Sequence, residues 1–429
     1  MKYKQIDKNL FIENRERFAA KLKKGGLAVF NSNDILPTNA DGHMAFVQNA
    51  DLFYLSGIDQ EESILVIFPD AVNTDHKEIL FLKETNEHIA IWEGHKYTKQ
   101  EAFETSGIKT VYWLSQFNAV FNAIMNECSC VYLNTNEHNR AMVETETREV
   151  RFIKFVKERY PAHSIERSAP IMHNLRAIKS KPEVDLIQHA CNITEKGFRR
   201  LLGFVKPGVM EYEIEAELLH EFVRNRSTGF AYGPIIASGA SACVLHYVEN
   251  NKPCKDGDLL LLDVAAEYAN YKSDLTRCIP VNGKFSPRQK QVYNAVLRVM
   301  REAIKMLVVG NTIPEYHKAV GVLMEKELID LGLLKAEDVK NQNPAAPLYK
   351  KYFMHGTSHF LGIDVHDVGD FNRPLEEGMV FTCEPGIYIN EEGIGVRIEN
   401  NILVTKNGPV DLMKNIPIEV EEIEALMAK

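Results

Sequence analysis

The chain has 429 residues, with 50 Lys and Arg against 59 Asp and Glu, a formal net charge of −9, and 45% hydrophobic residues. At roughly 100 to 200 residues per domain this is two or three domains with ordinary cores, which excludes disorder, collagen and coiled-coil rods. The acidic balance argues against a general nucleic-acid binder, which needs a basic stripe to displace counterions from phosphates, and no run reaches the ~18 apolar residues of a membrane helix.

In chain order, MKYKQIDKNLFIENRERF lacks an unbroken apolar core, so it reads as a first helix and not as a signal peptide, and the expected address is cytoplasmic. From about residue 26 to 135 the short apolar runs GLAVFN, SILVIF, EILFL, TVYWL and CVYLN alternate with helical patterns, which predicts an α/β domain. The cysteines, at 128, 130, 191, 243, 254, 278 and 383, contain no CxxC pair and fit reduced thiols; Cys128 and Cys130 read as core thiols on a strand. The last helix of this domain runs to about 160. The stretch ERSAPIMHNLRAIKSKPEVD reads as an irregular crossing whose Arg176, Lys179 and Lys181 form a solvated basic cluster. The expected domains are 1–174 and 175–429.

Beyond the boundary, apolar spacing of three and four predicts helices over 183–203 and 211–226, separated by Pro207-Gly208. DLLLLDVAAEY and NYKSDLTRCIPV read as a hairpin. Two more amphipathic helices, over 286–308 and 314–332, precede a second hairpin, GMVFTCEPGIYI and GVRIENNILV. The order helix, helix, hairpin therefore occurs twice, which predicts an α+β domain of two halves related by a pseudo-twofold axis, their sheets facing one cleft.

Asp263 lies inside LLLLD, where an unpaired charge facing a core would cost several kcal/mol. A two-residue loop at Tyr268 and Ala269 would set Asp263 opposite Asp274, and a loop at Glu391 and Glu392 would set Glu384 opposite Glu399. At ~4 Å and an effective dielectric near 20, each such pair costs about 4 kcal/mol, which cations would relieve. Any one of these acids alone is better read as a solvated strand residue; two opposed pairs in equivalent hairpins reverse that. Between the hairpins, HGTSHFLGIDVHD carries His355, His359 and His366. One imidazole with four carboxylates is a hard donor set suited to Mn²⁺, Co²⁺, Fe²⁺ or Zn²⁺ in a hydrolytic role, and bridging carboxylates can hold two ions ~3.5 to 4 Å apart.

HGTSHFLGIDVHD, with CEPGIY, GVRIENN and LLLLDVAAEYANYKSDLTR, resembles the Xaa-Pro peptidases of the pita-bread metallopeptidase superfamily, most closely the aminopeptidase P family, over nearly the whole chain. The resemblance implies an aminopeptidase P type N-terminal domain, a pita-bread catalytic domain and two divalent ions, Mn²⁺ first, with Co²⁺ or Zn²⁺ as alternatives. It implies that Asp263 and Asp274 hold one ion, that His359 and Glu384 hold the other, and that Asp274 and Glu399 bridge. Glu384 would also serve as general base. His246 would contact substrate near the scissile bond, His355 and His366 would bind substrate or stabilise the tetrahedral intermediate, and Arg397 would support the site. Val47 departs from the family pattern in FVQNADLFYLSGI, where Arg is expected.

The reaction implied by this resemblance is removal of the first residue from peptides with Pro in second position, by a homodimer or homotetramer in which Trp92 would reach a neighbouring copy. Prolidase, restricted to Xaa-Pro dipeptides, is the rival reading. A methionine aminopeptidase would lack the N-terminal domain, and non-catalytic binding modules of this fold have lost ligands that are intact here. Neither nucleic acid nor a membrane is an expected partner.

Overall fold

The computed structural model describes residues 2–428 apart from 136 and 142. The chain divides into two compact units, Gln5–Arg176 and Ala177–Lys429, the second including Met1–Lys4.

The first unit is a six-stranded mixed sheet flanked by helices. Its strands are β1 (Gly26–Asn31), β2 (Ile64–Ile67), β3 (Glu78–Leu82), β4 (Thr110–Trp113), β5 (Cys130–Leu133) and β6 (Ser164–Arg167), in the spatial order β4-β3-β2-β1-β5-β6. β1 pairs in parallel with β5 and antiparallel with β2. Every residue of β1 is buried, as its unbroken apolar run requires of a strand covered on both faces. Leu27, Val29, Val66, Phe81 and Val131 of the sheet pack with Phe121 and Ile124 of the helix Phe117–Met125 and with Val156 of Arg148–Arg159. Cys130 lies on β5 and Cys128 just before it, both buried.

The stretch read as irregular is structured. SIER forms the edge strand β6, Ala169–Ala177 is a helix, and a second helix, Lys181–Leu202, begins at Ser180. Pro182 does not interrupt that helix because it occupies the first turn, where its missing N–H has no intrahelical partner to lose. The Glu183 carboxylate accepts from both the backbone N–H and the hydroxyl of Ser180, at 2.8 Å each. The basic cluster is likewise corrected. Arg176 is buried and pairs with Asp51 at 2.9 Å, Lys179 is buried and pairs with Asp367 at 2.9 Å, and Lys181 alone stands in solvent.

The second unit repeats one plan. The helices Lys181–Leu202 and Glu211–Arg224 precede β7 (Ile235–Ser238), β8 (Leu259–Asp263), β9 (Glu267–Tyr268), β10 (Tyr271–Lys272) and β11 (Thr276–Pro280). The helices Pro287–Ile304 and Ile313–Asp330 precede β12 (Val380–Cys383), β13 (Gly386–Ile389), β14 (Ile394–Arg397), β15 (Asn400–Leu403) and β16 (Val410–Asp411). Each half forms a three-stranded antiparallel sheet, β11-β8-β7 or β12-β15-β16, and a two-stranded extension, β10-β9 or β13-β14.

The two hairpins abut: the Glu399 N–H donates to the Thr276 carbonyl at 3.0 Å. Behind this seam the fully buried Arg277 donates to the carbonyls of Thr276, Glu399 and Pro417 and to Asn400 Oδ1, at 2.7–3.0 Å, so its charge is spread over four acceptors. Among the described residues no helix is long and apolar enough to cross a membrane.

Candidate metal centre and catalytic site

The second hairpin has the expected register. Gly386 faces Arg397 and Cys383 faces Asn400, so Glu384 and Glu399 lie across from each other where the ladder breaks beside Pro385. The first hairpin does not. Its turn falls at Ala269 and Asn270, both with positive φ (52° and 66°), which is the backbone a two-residue hairpin turn demands. Tyr268 stays in the strand, buried with its ring 4.0 Å from that of His189. Tyr271 then faces Tyr268 and Asp263 faces Thr276, not Asp274. The slip is two residues, so the side-chain parity survives and both aspartates still point to the same face.

Asp274, His359 and Glu399 bring ligand atoms within 4.8 Å of one another, and all three are buried. His359 Nε2 lies 3.4 Å from Asp274 Oδ2 and 3.7 Å from Glu384 Oε1. His359 is held on its other side, with Nδ1 2.9 Å from the Phe360 carbonyl, so Nδ1 carries the proton and Nε2 faces the carboxylates. Its backbone N–H donates to Thr382 Oγ1 at 3.1 Å. Asn401 fixes Asp274 twice, accepting from its N–H at 3.0 Å and donating to its carbonyl at 2.7 Å.

Asp263 stands at the edge of this group with both oxygens engaged: Arg397 Nη2 donates to Oδ2 at 2.7 Å and the Tyr232 hydroxyl to Oδ1 at 2.6 Å. Arg397 also donates from Nε to Thr276 Oγ1 at 3.1 Å and from Nη1 to the Tyr388 hydroxyl at 2.7 Å. Thr276 in turn donates to Glu399 Oε2 at 2.7 Å. Because Tyr388 accepts from Arg397, it can donate to His355 Nε2, 2.8 Å away. That leaves the His355 proton on Nδ1, which is 2.7 Å from the Gly356 carbonyl and 3.8 Å from Glu384 Oε2.

Charge in this site is held against its preference. Burial pushes the carboxyl of Glu384 up to about 7 and that of Glu399 well above its ordinary range, with neighbouring carboxylates adding to both shifts. Burial also raises Asp263, and the Arg397 guanidinium partly opposes it. For His359, burial disfavours the imidazolium, but Asp274 and Glu384 outweigh it and the pKa rises. His355 goes the other way, pushed down to about 4 by burial and by the Arg397 charge. Buried acids converging on one imidazole nitrogen fit divalent cations, whose charge would restore the ionised forms.

The remaining expected residues divide. The His366 ring packs edge-on against that of His359, centroids 4.4 Å apart. His246 is exposed, in the segment after the short turn Gly239–Cys243, and a charge on it would oppose protonation of His355. In the first unit Val47 is 65% and Trp92 80% exposed. The sequence reading missed Tyr232, Thr276, Thr382, Tyr388 and Asn401. Thr276 was recoverable, since placing the turn at Ala269-Asn270 sets it opposite Asp263.

Residues 185–406 match Metallopeptidase family M24, and residues 11–132 match the aminopeptidase P N-terminal domain. An Xaa-Pro aminopeptidase of Haemophilus influenzae is 34% identical over 436 residues, spanning 99% of this chain and 98% of that protein. A solved structure from Bacillus anthracis superposes with a TM-score of 0.91 at 35% identity, and zinc-substituted Escherichia coli aminopeptidase P in complex with product with 0.89 at 31%; each comparison covers 99% of both chains.

Proposed function

Since the chain belongs to metallopeptidase family M24 and carries an aminopeptidase P type N-terminal domain, we propose that it is a metalloexopeptidase that hydrolyses the bond between the first residue and a proline in second position. The observation that carries this reading is the convergence of Asp274, Glu399 and the Nε2 face of His359 within 4.8 Å, with Glu384 beside them. Asp263, Asp274, His359, Glu384 and Glu399 would hold two divalent ions, Mn²⁺ in our reading, with Co²⁺ or Zn²⁺ able to substitute. When bound, such ions polarise a scissile carbonyl and acidify a water.

The chain's own residues supply the rest. Glu384 takes the proton of the attacking water and returns it to the departing prolyl nitrogen, which has no N–H of its own. His355, kept neutral by burial and the Arg397 charge and oriented by Tyr388, faces Glu384 and would meet the substrate carbonyl. His366 and His246 line the approach of the peptide. Arg397 positions Asp263 and Tyr388 together, so one guanidinium couples the two hairpins. We further propose a cytoplasmic homodimer or homotetramer in which Trp92 meets a second copy.

The test sets an Xaa-Pro-Xaa tripeptide against the matching Xaa-Pro dipeptide, at equal concentration with Mn²⁺ present. Release of the first residue from the tripeptide supports the reading. Cleavage of the dipeptide alone would replace it with prolidase, and cleavage of neither would refute it.

A further inference from the structure

Outside the proposed metal-ligand set, an ion pair among the described residues is buried almost completely: Lys179 Nζ lies 2.9 Å from Asp367 Oδ2, with each side chain 1% exposed. Removing two charges from water costs free energy that their attraction rarely exceeds, and apolar replacements of similar volume are often as stable. Such a pair is therefore poorly explained as a source of stability alone, and its surroundings suggest what else it does.

Asp367 follows His366 directly. Its N–H donates to the Phe360 carbonyl at 2.9 Å, closing the turn that runs from His359 to His366. Lys179 comes from the other direction, just ahead of the helix Lys181–Leu202, with its own N–H bound to the Gly378 carbonyl at 2.9 Å. The pair thus ties the histidine turn to a long helix and to the strand β12 that leads to Glu384. Gly362 leaves room for it: a Cβ there would come 2.0 Å from Asp367 Oδ2 and 2.9 Å from Lys179 Cε. The Gly362 carbonyl meanwhile accepts from the Lys272 N–H at 2.8 Å, two residues from Asp274. His359 is fixed by its exchange of hydrogen bonds with Thr382, and the His366 ring, at the far end of the turn next to Asp367, packs edge-on against that of His359.

We propose that Lys179 and Asp367 are positioning residues for His366, a buried ionic clamp that sets this imidazole against His359 and the peptide path. The inference rests on the proposed peptidase reading. The clamp acts through the turn, so its loss should slow turnover by misplacing His366, with the metal ligands left in place.

The test is a double-mutant cycle with metal-loaded enzyme and an Xaa-Pro-Xaa tripeptide, comparing Lys179→Met/Asp367→Leu in the wild-type and His366→Ala backgrounds. In the wild-type background kcat should fall on the order of 10- to 100-fold, the range expected when a reacting group is misplaced by about 1 Å, with KM changed far less. In the His366→Ala background the same changes should lower kcat less than about twofold, because the group they position is gone. Metal content by elemental analysis and the melting temperature should track the parent in each background. If the apolar pair does not fold, Lys179→Arg, which keeps the charge but alters its reach, enters the same cycle. Equal losses in both backgrounds, loss of bound metal, or wild-type turnover in the variant would each overturn the proposal. A parent enzyme that cleaves no Xaa-Pro peptide would instead refute the functional reading.

Discussion

The two hairpins of the second unit each carry a pair of acids, and they set that pair in different registers. In the second, Glu384 faces Glu399 across a ladder whose register runs unchanged from β12/β15 into β13/β14. In the first, Asp263 and Asp274 are offset by two residues, and the position opposite Asp263 belongs to Thr276. The offset gives the first hairpin something the second lacks. Thr276 bridges Arg397 and Glu399 of the second hairpin, so a neutral hydroxyl, in place of a second carboxylate, joins the first hairpin to the guanidinium that serves Asp263 and to Glu399. Like charges opposite each other destabilise a sheet, and the slip spreads the acids of the first hairpin apart while keeping them on one face.

If the two hairpins form halves of one centre, removing an acid from either should be equally severe. Asp274→Ala, from the first, and Glu384→Ala, from the second, should each lower kcat/KM for an Xaa-Pro-Xaa peptide by about 10³-fold or more, roughly 4 kcal/mol of lost transition-state stabilisation. Retention of full metal-dependent activity by either variant would break the equivalence, and a large difference between them would show which hairpin carries the chemistry.

A buried acid outside the hairpins sharpens the contrast. Glu149, in the first unit, accepts from the Asn31 backbone at 3.0 Å and from its side chain at 2.8 Å, and burial pushes its pKa up to about 8. Since the folded pKa exceeds the unfolded one, its contribution is fully present below about pH 4.5 and is lost as pH rises through about 8. At about 1.4 kcal/mol per unit the ceiling is several kcal/mol. Urea unfolding of the chelated protein should show the first unit weakening between pH 5 and 8.5, and Glu149→Gln should flatten that slope. An identical slope in the variant would assign the pH dependence elsewhere.

The hairpin acids should respond to metal instead. Mn²⁺ at 100 times its dissociation constant adds about 2.7 kcal/mol to the stability of the bound form. The second unit, of roughly 250 residues, should therefore melt several degrees higher with Mn²⁺ than with a chelator. Of the formal charge of −9, four units sit on Asp263, Asp274, Glu384 and Glu399, so two divalent ions would leave −9 + 4 = −5. A melting curve indifferent to both Mn²⁺ and chelator would count against a centre built from those acids.

How much of the fold and the site was legible depends on where each signal resides. The paired helices show in spacing of three and four because each buries one face, and the second hairpin shows because its polar loop Asn390–Glu392 ends at Gly393, which takes a left-handed φ of 62°. The edge strand β6 escaped notice because its four residues are largely exposed and form no apolar run. Tyr388 and Tyr232 reach Arg397 and Asp263 across 9 and 31 positions of sequence, and nothing in their neighbours marks the contact. Lys179 escaped for a related reason: a lysine beside Lys181 reads as solvated unless the distant Asp367 is known to meet it.

The smallest effect tests the turns themselves. Ala269 holds φ at 52°, a conformation that costs a residue with a Cβ about 1 kcal/mol. It is also fully buried, and a buried methyl contributes about 0.8 kcal/mol. Ala269→Gly should therefore be close to neutral, strain relief offsetting lost packing. Gly393→Ala in the second hairpin has no such offset. Its φ is equally left-handed, and the added methyl would meet the Ala240 Cβ, Cα and N at ordinary distances of 3.6, 3.7 and 3.9 Å, so it should cost about 1 kcal/mol in equilibrium unfolding. The turn of the first hairpin would then be strained but packed, and that of the second relaxed by glycine. Equal costs at the two positions would mean that turn conformation does not account for why the first register departs from simple counting and the second follows it.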